Sequence, residues 1–318
     1  MKVVLGRNFG DDYVCDLRTN FPEIELQPAY TVEETIRTIE DAHVYCGELN
    51  RDLFLAAKEL EWVHFPGAGF DRMVTNIPEF VESNTVLTNA PGTHVIAIAD
   101  FVLGVILAFA HRIPDLIEDQ HARRWAPEKS MESVMELSGT TMGVIGMGGI
   151  GKAVAQRAKG FEVDVYAVDV NPMSPPVGVC EVWALDRLDE LLQLSDWLVV
   201  TPPLTSATRG MLDRCRIEKF KMGGHLTVVS RGGIVDENAV IDGLRSGRIA
   251  GAAFDALGEE PLPPDNPLWG MSNVIISPHA CAETPILWAR RKEIFKDNLR
   301  RYIAGEDLMH ICDKKAGY

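Results

Sequence analysis

Residues 140–172 read TTMGVIGMGGIGKAVAQRAKGFEVDVYAVDVNP. The apolar run Met142–Ile145 is strand-length and closes on Gly146, Gly148 and Gly151 in a G-x-G-x-x-G spacing. A helix pattern follows over Lys152–Lys159, then a second strand pattern, Val163–Val168, that ends on Asp169. Strand, glycine turn, helix and strand make a βαβ unit in which each glycine has a separate task. Gly146 permits the tight turn, Gly148 lets backbone approach a pyrophosphate, and Gly151 lets the helix pack against the sheet. The helix start offers unbonded N–H groups and the positive end of its dipole to phosphates. Asp169 lies 23 residues past Gly146, where an acid grips the adenosine ribose hydroxyls. A glycine-rich turn in some other α/β domain would leave Asp169 unexplained. The expected cofactor is NAD, as NAD(H). NADP is disfavoured, since Asp169 repels a 2′-phosphate and Val170, Asn171 and Pro172 supply no arginine for one.

The 318 residues allow two domains, each with a core. Hydrophobic and charged fractions of 46% and 24% are those of a globular chain. A net charge of −15 argues against nucleic acid and anionic membrane as partners, and an anionic substrate would need a local basic site. Six cysteines show no C-x-x-C or Cys/His metal spacing, so no metal site is expected and a reduced cytoplasmic setting is the plain reading. MKVVLGRNFGDD runs from a short strand into polar residues and does not resemble a signal peptide. The apolar run Val95–Ala110 falls short of the ~20 residues a membrane span needs and contains Asp100, which favours a buried helix.

Ahead of the glycine unit, strand patterns at Lys2–Leu5, Ala42–Cys46, Trp62–Phe65 and Val86–Thr88 alternate with helix patterns at Val32–Asp41 and Asp52–Glu61. Thr31 and Glu34 form a capping box at the first helix. This is a small parallel α/β domain. Gly67-Ala68-Gly69, after the Trp62–Phe65 strand, could form an anion nest, although a plain turn has the same composition. A helix is expected over Val95–Arg112, and Asp115–Glu136, with Trp125, has the composition of an excursion or contact arm outside any core.

Beyond the glycine unit, a helix at Leu188–Leu194 and a strand at Trp197–Val200 precede the loop Thr201–Thr208. Strands Leu226–Ser230, Ala250–Phe254 and Val274–Ser277 close on Arg231, Asp255 and Pro278-His279, with a helix at Asp236–Ser246. Open parallel sheets bind ligands at the carboxyl ends of their strands, so Arg231, Asp255 and His279 belong to the edge that carries the glycine loop. A last helix, Leu287–Gly305, carries arginine on its outer face.

Together Arg231, Glu260 and His279 suit hydride chemistry on a carbonyl. A guanidinium fork can hold a 2-oxo acid by its carboxylate and carbonyl. An imidazole can deliver the proton to the reduced oxygen. Glu260, bonded to that imidazole, would orient it and favour its protonated form. Taken singly, each has an ordinary alternative: a surface salt-bridge arginine, a turn histidine, a solvated acid in the proline-rich loop EEPLPPDNP.

The stretches NAPGTHVIAIAD, GVIGMGGIG, TPPLTSAT, VVSRGGIVDENAV, GAAFDALGEEPLPPDNPLW and ISPHACAET, running on to the closing ICDKKAGY, resemble the D-2-hydroxyacid dehydrogenase family in order and over nearly the whole chain. The glyoxylate/hydroxypyruvate reductase branch is the nearest resemblance. It implies a Rossmann-type doubly wound parallel sheet for NAD, residues 96–285, and a discontinuous flavodoxin-like α/β substrate domain, residues 1–95 and 286–318, with a cleft between them. By the same resemblance Arg231 binds substrate, Glu260 assists and His279 is the acid/base. Ala68 and Gly69 give backbone N–H groups to the substrate carboxylate. Gly146, Gly148, Gly149, Ile150, Gly151, Asp169, Pro202, Thr208, Asp255 and His279 serve the cofactor, Asp255 through the nicotinamide carboxamide. The implied partners are a small 2-oxo or 2-hydroxy acid and a second copy in a homodimer, through the helix beginning near Val95, with Trp125 reaching the neighbour.

Departures from the family pattern are Val228 for a common asparagine, Gly149 for a common arginine, and Cys281 and Ala282 after the histidine. Tyr45, Cys46, Phe65, His94 and Trp288 are candidate pocket-lining residues. Formate or phosphite oxidation and an NAD-sensing corepressor-like protein are the alternatives. Glu260, where formate enzymes of the family carry glutamine, argues against formate.

Overall fold

The computed structural model describes residues 1–127 and 134–316. It divides into one unit of Met1–His94 with Thr284–Tyr318 and another of Val95–Glu283.

In the first unit, strands β1 (Lys2–Leu5), β2 (Glu25–Pro28), β3 (Val44–Cys46), β4 (Trp62–His64) and β5 (Val86–Thr88) form a parallel sheet in the order β2-β1-β3-β4-β5. That order is flavodoxin-like, with its switch point between β1 and β3. Val44, Tyr45, Cys46, Trp62, Val63 and His64 are all buried, as expected of central strands covered on both faces. Thr31 caps the helix Val32–Thr38 through the expected capping box, accepting from Glu34 N–H while the Glu34 carboxylate accepts from Thr31 N–H. That helix ends three residues earlier than its pattern suggested, and the next, Arg51–Ala56, is likewise short. The polar run after β1 is in fact a helix, Asp11–Asn20, leading to the edge strand β2. Only Tyr13, Val14 and Leu17 of that helix are buried, too thin an apolar stripe to read, and Pro28 fits β2 because an edge strand has an unpaired side. The C-terminal helix Pro285–Ala304 keeps Arg290 and Arg300 exposed, as expected, while Arg291 is buried beside Trp288.

The second unit carries β6 (Thr141–Ile145), β7 (Asp164–Val168), β8 (Glu181–Trp183), β9 (Trp197–Val200), β10 (Gly224–Val228), β11 (Ile249–Phe254) and β12 (Val274–Ile276). Their parallel order, β12-β11-β10-β9-β6-β7-β8, is the doubly wound dinucleotide-binding order with one strand added. Strand β10 ends at Val228, before Ser230, because only residues 225–228 find ladder partners on β9. Helix Val95–Ala110 packs on this sheet with Ile98, Val102 and Ile106 buried, and no single helix among the described residues is long and apolar enough to cross a membrane. The expected excursion after it begins as a helix, Ile113–His121, whose Asp119 is buried against Arg124. Trp125 is 96% exposed, and residues 128–133 of that segment lie outside the described residues, as do Gly317 and Tyr318 of the closing motif.

Candidate functional site

Strand β6 delivers the glycine loop to the switch point between β6 and β9. Gly146 has φ 90°, and an added Cβ would lie 2.9 Å from Thr201 Oγ1 just past β9. Gly151 lies in the first turn of the following helix, against the strand end, where a Cβ would meet the Gly146 carbonyl oxygen at 2.2 Å. At Gly148 a Cβ would meet nothing within 4 Å, so this backbone faces open space. Two glycines are therefore required by the protein's own packing, and the third keeps a surface clear. The helix Gly149–Ala158 starts there with no side-chain cap, leaving its first N–H groups for a ligand. Asp169, past β7, is half-buried. Its Oδ2 accepts from Met147 N–H in the glycine loop at 2.7 Å and its Oδ1 from Asn171 N–H at 2.9 Å. Two bonds leave lone pairs free on the carboxylate, as ribose hydroxyls need. These residues fit a dinucleotide.

His279 lies three residues past β12 in a left-handed conformation, φ 56°. Its Nδ1 is 3.1 Å from both Glu260 oxygens. A carboxylate only accepts, so Nδ1 carries the proton and Nε2 is left for exchange with a substrate. The imidazole is exposed, while the Glu260 side chain is 20% exposed, so the acid backs the ring from the protein side. Glu260 Oε1 also accepts from Leu257 N–H at 3.1 Å. Arg231 sits three residues past β10, its Nη1 donating to the Ser230 carbonyl at 2.9 Å. Its loop abuts the Glu260 loop, since a Cβ on Gly232 would stand 2.1 Å from the Leu257 oxygen. The Glu237 Oε1 accepts from Gly258 N–H at 2.5 Å in the same loop. Burial raises the Glu237 carboxyl above its usual range, and the Glu260 charge adds to the effect.

Asp255, buried at the end of β11, gathers the turn that presents His279. Its Oδ1 accepts from Ser277 Oγ at 2.6 Å and from the N–H groups of Ala280 and Cys281, both at 3.0 Å. Its Oδ2 accepts from Cys281 Sγ at 2.8 Å. Burial and the Asp255 carboxylate both push the Cys281 thiol up, so it stays protonated as a donor. Sequence reasoning placed Asp255 at this edge and did not foresee that it braces the histidine turn.

Residues 103–281 match the model of the D-isomer specific 2-hydroxyacid dehydrogenase, NAD binding domain. The chain belongs to the D-isomer specific 2-hydroxyacid dehydrogenase family. It is 33% identical to a D-3-phosphoglycerate dehydrogenase from Archaeoglobus fulgidus over 89% of its own length, spanning 54% of that relative. The chain thus spans about half the length of that protein. It is 32% identical to a glyoxylate reductase from Thermofilum pendens over 89% of this chain and 85% of that one. An NADPH-dependent glyoxylate/hydroxypyruvate reductase from Sinorhizobium meliloti, solved with NADP and sulfate, superposes with a TM-score of 0.84 at 25% identity, over 100% of this chain and 99% of that one.

The other residues singled out in this D-2-hydroxyacid dehydrogenase chain fall as follows. Gly149 is exposed and Ile150 half-buried at the helix start, and Pro202 stands beside Gly146. Thr208 is buried, its hydroxyl donating to the Pro203 carbonyl at 2.6 Å and accepting from Thr205 N–H at 2.8 Å, which ties its loop together. In the first unit, Ala68 and Gly69 lie in the loop past β4. Tyr45 and Cys46 are fully buried, whereas Phe65, His94 and Trp288 are half-buried. No group of three or more His, Cys, Asp or Glu side chains able to hold a metal occurs among the described residues.

Proposed function

We propose that the protein catalyses the NAD(H)-linked reduction of a small 2-oxo acid to the D-2-hydroxy acid, and the reverse. The observation that carries this is the His279–Glu260 pair, with Nδ1 bonded to the acid and the imidazole exposed. A bound NADH supplies the hydride that the carbonyl carbon receives. Arg231 holds the substrate carboxylate and polarises the carbonyl, and His279 Nε2 gives its proton to the oxygen. Glu260 stabilises the charged ring before transfer and fixes its tautomer after. The reverse reaction uses the neutral ring as base. Backbone N–H groups of Ala68 and Gly69 assist with the carboxylate, and Gly146, Gly148, Gly149, Ile150, Gly151, Asp169, Pro202, Thr208 and Asp255 form the cofactor site.

The preference for NAD over NADP rests on Asp169, whose charge faces any 2′-phosphate. A cytoplasmic homodimer completes the proposal. The test is NADH oxidation against glyoxylate, hydroxypyruvate, pyruvate, phenylpyruvate, oxaloacetate and 2-oxoisovalerate, repeated with NADPH. Turnover of one or two acids with NADH preferred is expected. Equal rates with NADPH would remove the Asp169 argument, and no turnover with NADH bound would remove the reductase.

A further inference from the structure

Two features lie at the carboxyl edge of the five-stranded sheet, and only the second, a glycine turn, has a part in the chemistry above. Arg7 lies two residues past β1, with its guanidinium 4.0 Å from the centroid of Trp288, and the Arg291 guanidinium lies 4.6 Å from the same ring. Trp288 is in the first turn of helix Pro285–Ala304, the positive end of its dipole. Arg7 is exposed and makes no ion pair among the described residues, in a chain of net charge −15. Glu48, exposed on the loop after β3, is not paired with it. Stacking on an indole holds a guanidinium flat and leaves its rim of N–H donors for a planar anion.

The second feature is Gly67-Ala68-Gly69 past β4. Ala90 N–H donates to the Gly67 oxygen at 2.9 Å and Asn89 Nδ2 to the Ala68 oxygen at 2.6 Å, which pins the carbonyls. The N–H groups of Ala68 and Gly69 meet no acceptor among the described residues. Only β3 separates β1 from β4, so the two positions are two strand spacings apart, about 9–10 Å. Between them the Tyr45 phenol fills the strand ends, where an added Cβ on Gly6 would lie 2.1 Å from its hydroxyl oxygen and one on Gly47 2.7 Å. The edge thus has donors at each end and an aromatic floor, about the length of a short dianion with its hydrogen bonds.

We propose that Arg7, held on Trp288, recognises a second anionic group, carboxylate or phosphate, on a 2-oxo acid whose first carboxylate is held by the Ala68 and Gly69 N–H groups. This rests on the 2-oxo acid reading of the site. The test compares kcat/KM for oxaloacetate and 3-phosphooxypyruvate with that for pyruvate and hydroxypyruvate, in the parent, Arg7→Ala and Arg7→Lys. Arg7→Ala should lower kcat/KM on the preferred dianion at least 30-fold, mainly through KM, and leave the monoacids within three-fold. Arg7→Lys should restore only part, since an ammonium lacks the flat fork. The dianion that loses more identifies carboxylate or phosphate as the natural group. A parallel loss on monoacids and dianions, or no loss, overturns the proposal. Calorimetric titration with malonate, which needs no turnover, separates this from failure of the reductase reading. Binding weakened at least ten-fold in Arg7→Ala supports the site even in an inactive protein, and equal binding refutes it.

Discussion

His279 depends on contacts that lie outside its own side chain. Its backbone is left-handed, a conformation costly for a residue with a Cβ, and the groups that over-determine it come from Asp255. Among the described residues, Ser277 Oγ and Cys281 Sγ are the side-chain donors to that carboxylate, one on each side of the histidine. Removing Ser277 Oγ takes one hydrogen bond from a charged acceptor, typically about 1.5–3 kcal/mol. Ser277→Ala should therefore lower kcat roughly ten-fold while leaving NADH affinity, read by fluorescence titration, within two-fold. Cys281→Ala should do the same more weakly, and Cys281→Ser should restore the parent rate because a hydroxyl also donates. Parent rates in both alanine variants would show that the network does not position the imidazole. None of this network was legible in the sequence. Cys281 registered only as a departure from a pattern, because its partner sits on another strand and the bond exists only once β11 and β12 are paired.

At the scale of elements, the glycine loop was the most readable feature, since its signal is local: apolar run, three glycines, helix, strand, acid. Its glycines separate into two kinds that the spacing alone does not distinguish. Gly151→Ala would drive a Cβ to 2.2 Å from a backbone oxygen, so the helix must shift and thermal stability must fall. Gly148→Ala meets nothing within 4 Å and should melt within a degree or two of the parent, yet lose NADH affinity at least ten-fold because the methyl group occupies the phosphate approach. Calorimetry beside an NADH titration checks both, and unchanged affinity in Gly148→Ala would place the pyrophosphate elsewhere. Elements with little local signal were missed: the helix Asp11–Asn20, the edge strand β2, β8 and the helix Arg214–Lys219. Each is short or exposed on one side, and its identity comes from tertiary pairing.

At the scale of the whole molecule, the alternation of strands and helices made two parallel α/β layers legible, because a parallel strand needs a crossover that a helix supplies. The sheet orders followed from pairing that no single stretch encodes. Burial on that scale also sets a pH limit. His225 in β10 stacks on Trp197 at 4.6 Å, and desolvation lowers its pKa from 6.5 to about 4, against a small opposing effect of Asp196. His64, buried among Trp62, Phe295 and Thr88, is lowered to about 3 for the same reason, with His310 adding to it. The unfolded chain takes up protons as pH falls through about 6.5, while these folded rings stay neutral until near 4 and 3. Stability should therefore be full above pH 6.5 and decline as pH drops towards 4, by roughly 2–3 kcal/mol for His225. His225→Phe should flatten that decline in melting temperature, and an identical pH profile would show that the ring does not titrate as buried.

The chemistry assigned to the protein stands or falls on one imidazole. His279→Gln keeps a polar side chain next to Glu260 and removes the proton donor, so single-turnover oxidation of bound NADH by the best 2-oxo acid is the direct measurement. Loss of general acid catalysis typically costs about 10²–10⁴ in rate. A fall in that range, with NADH affinity unchanged in the same sample, is the expected result. Turnover within a few-fold of the parent would contradict His279 as the proton donor, and with it the mechanism built on Glu260 and Arg231.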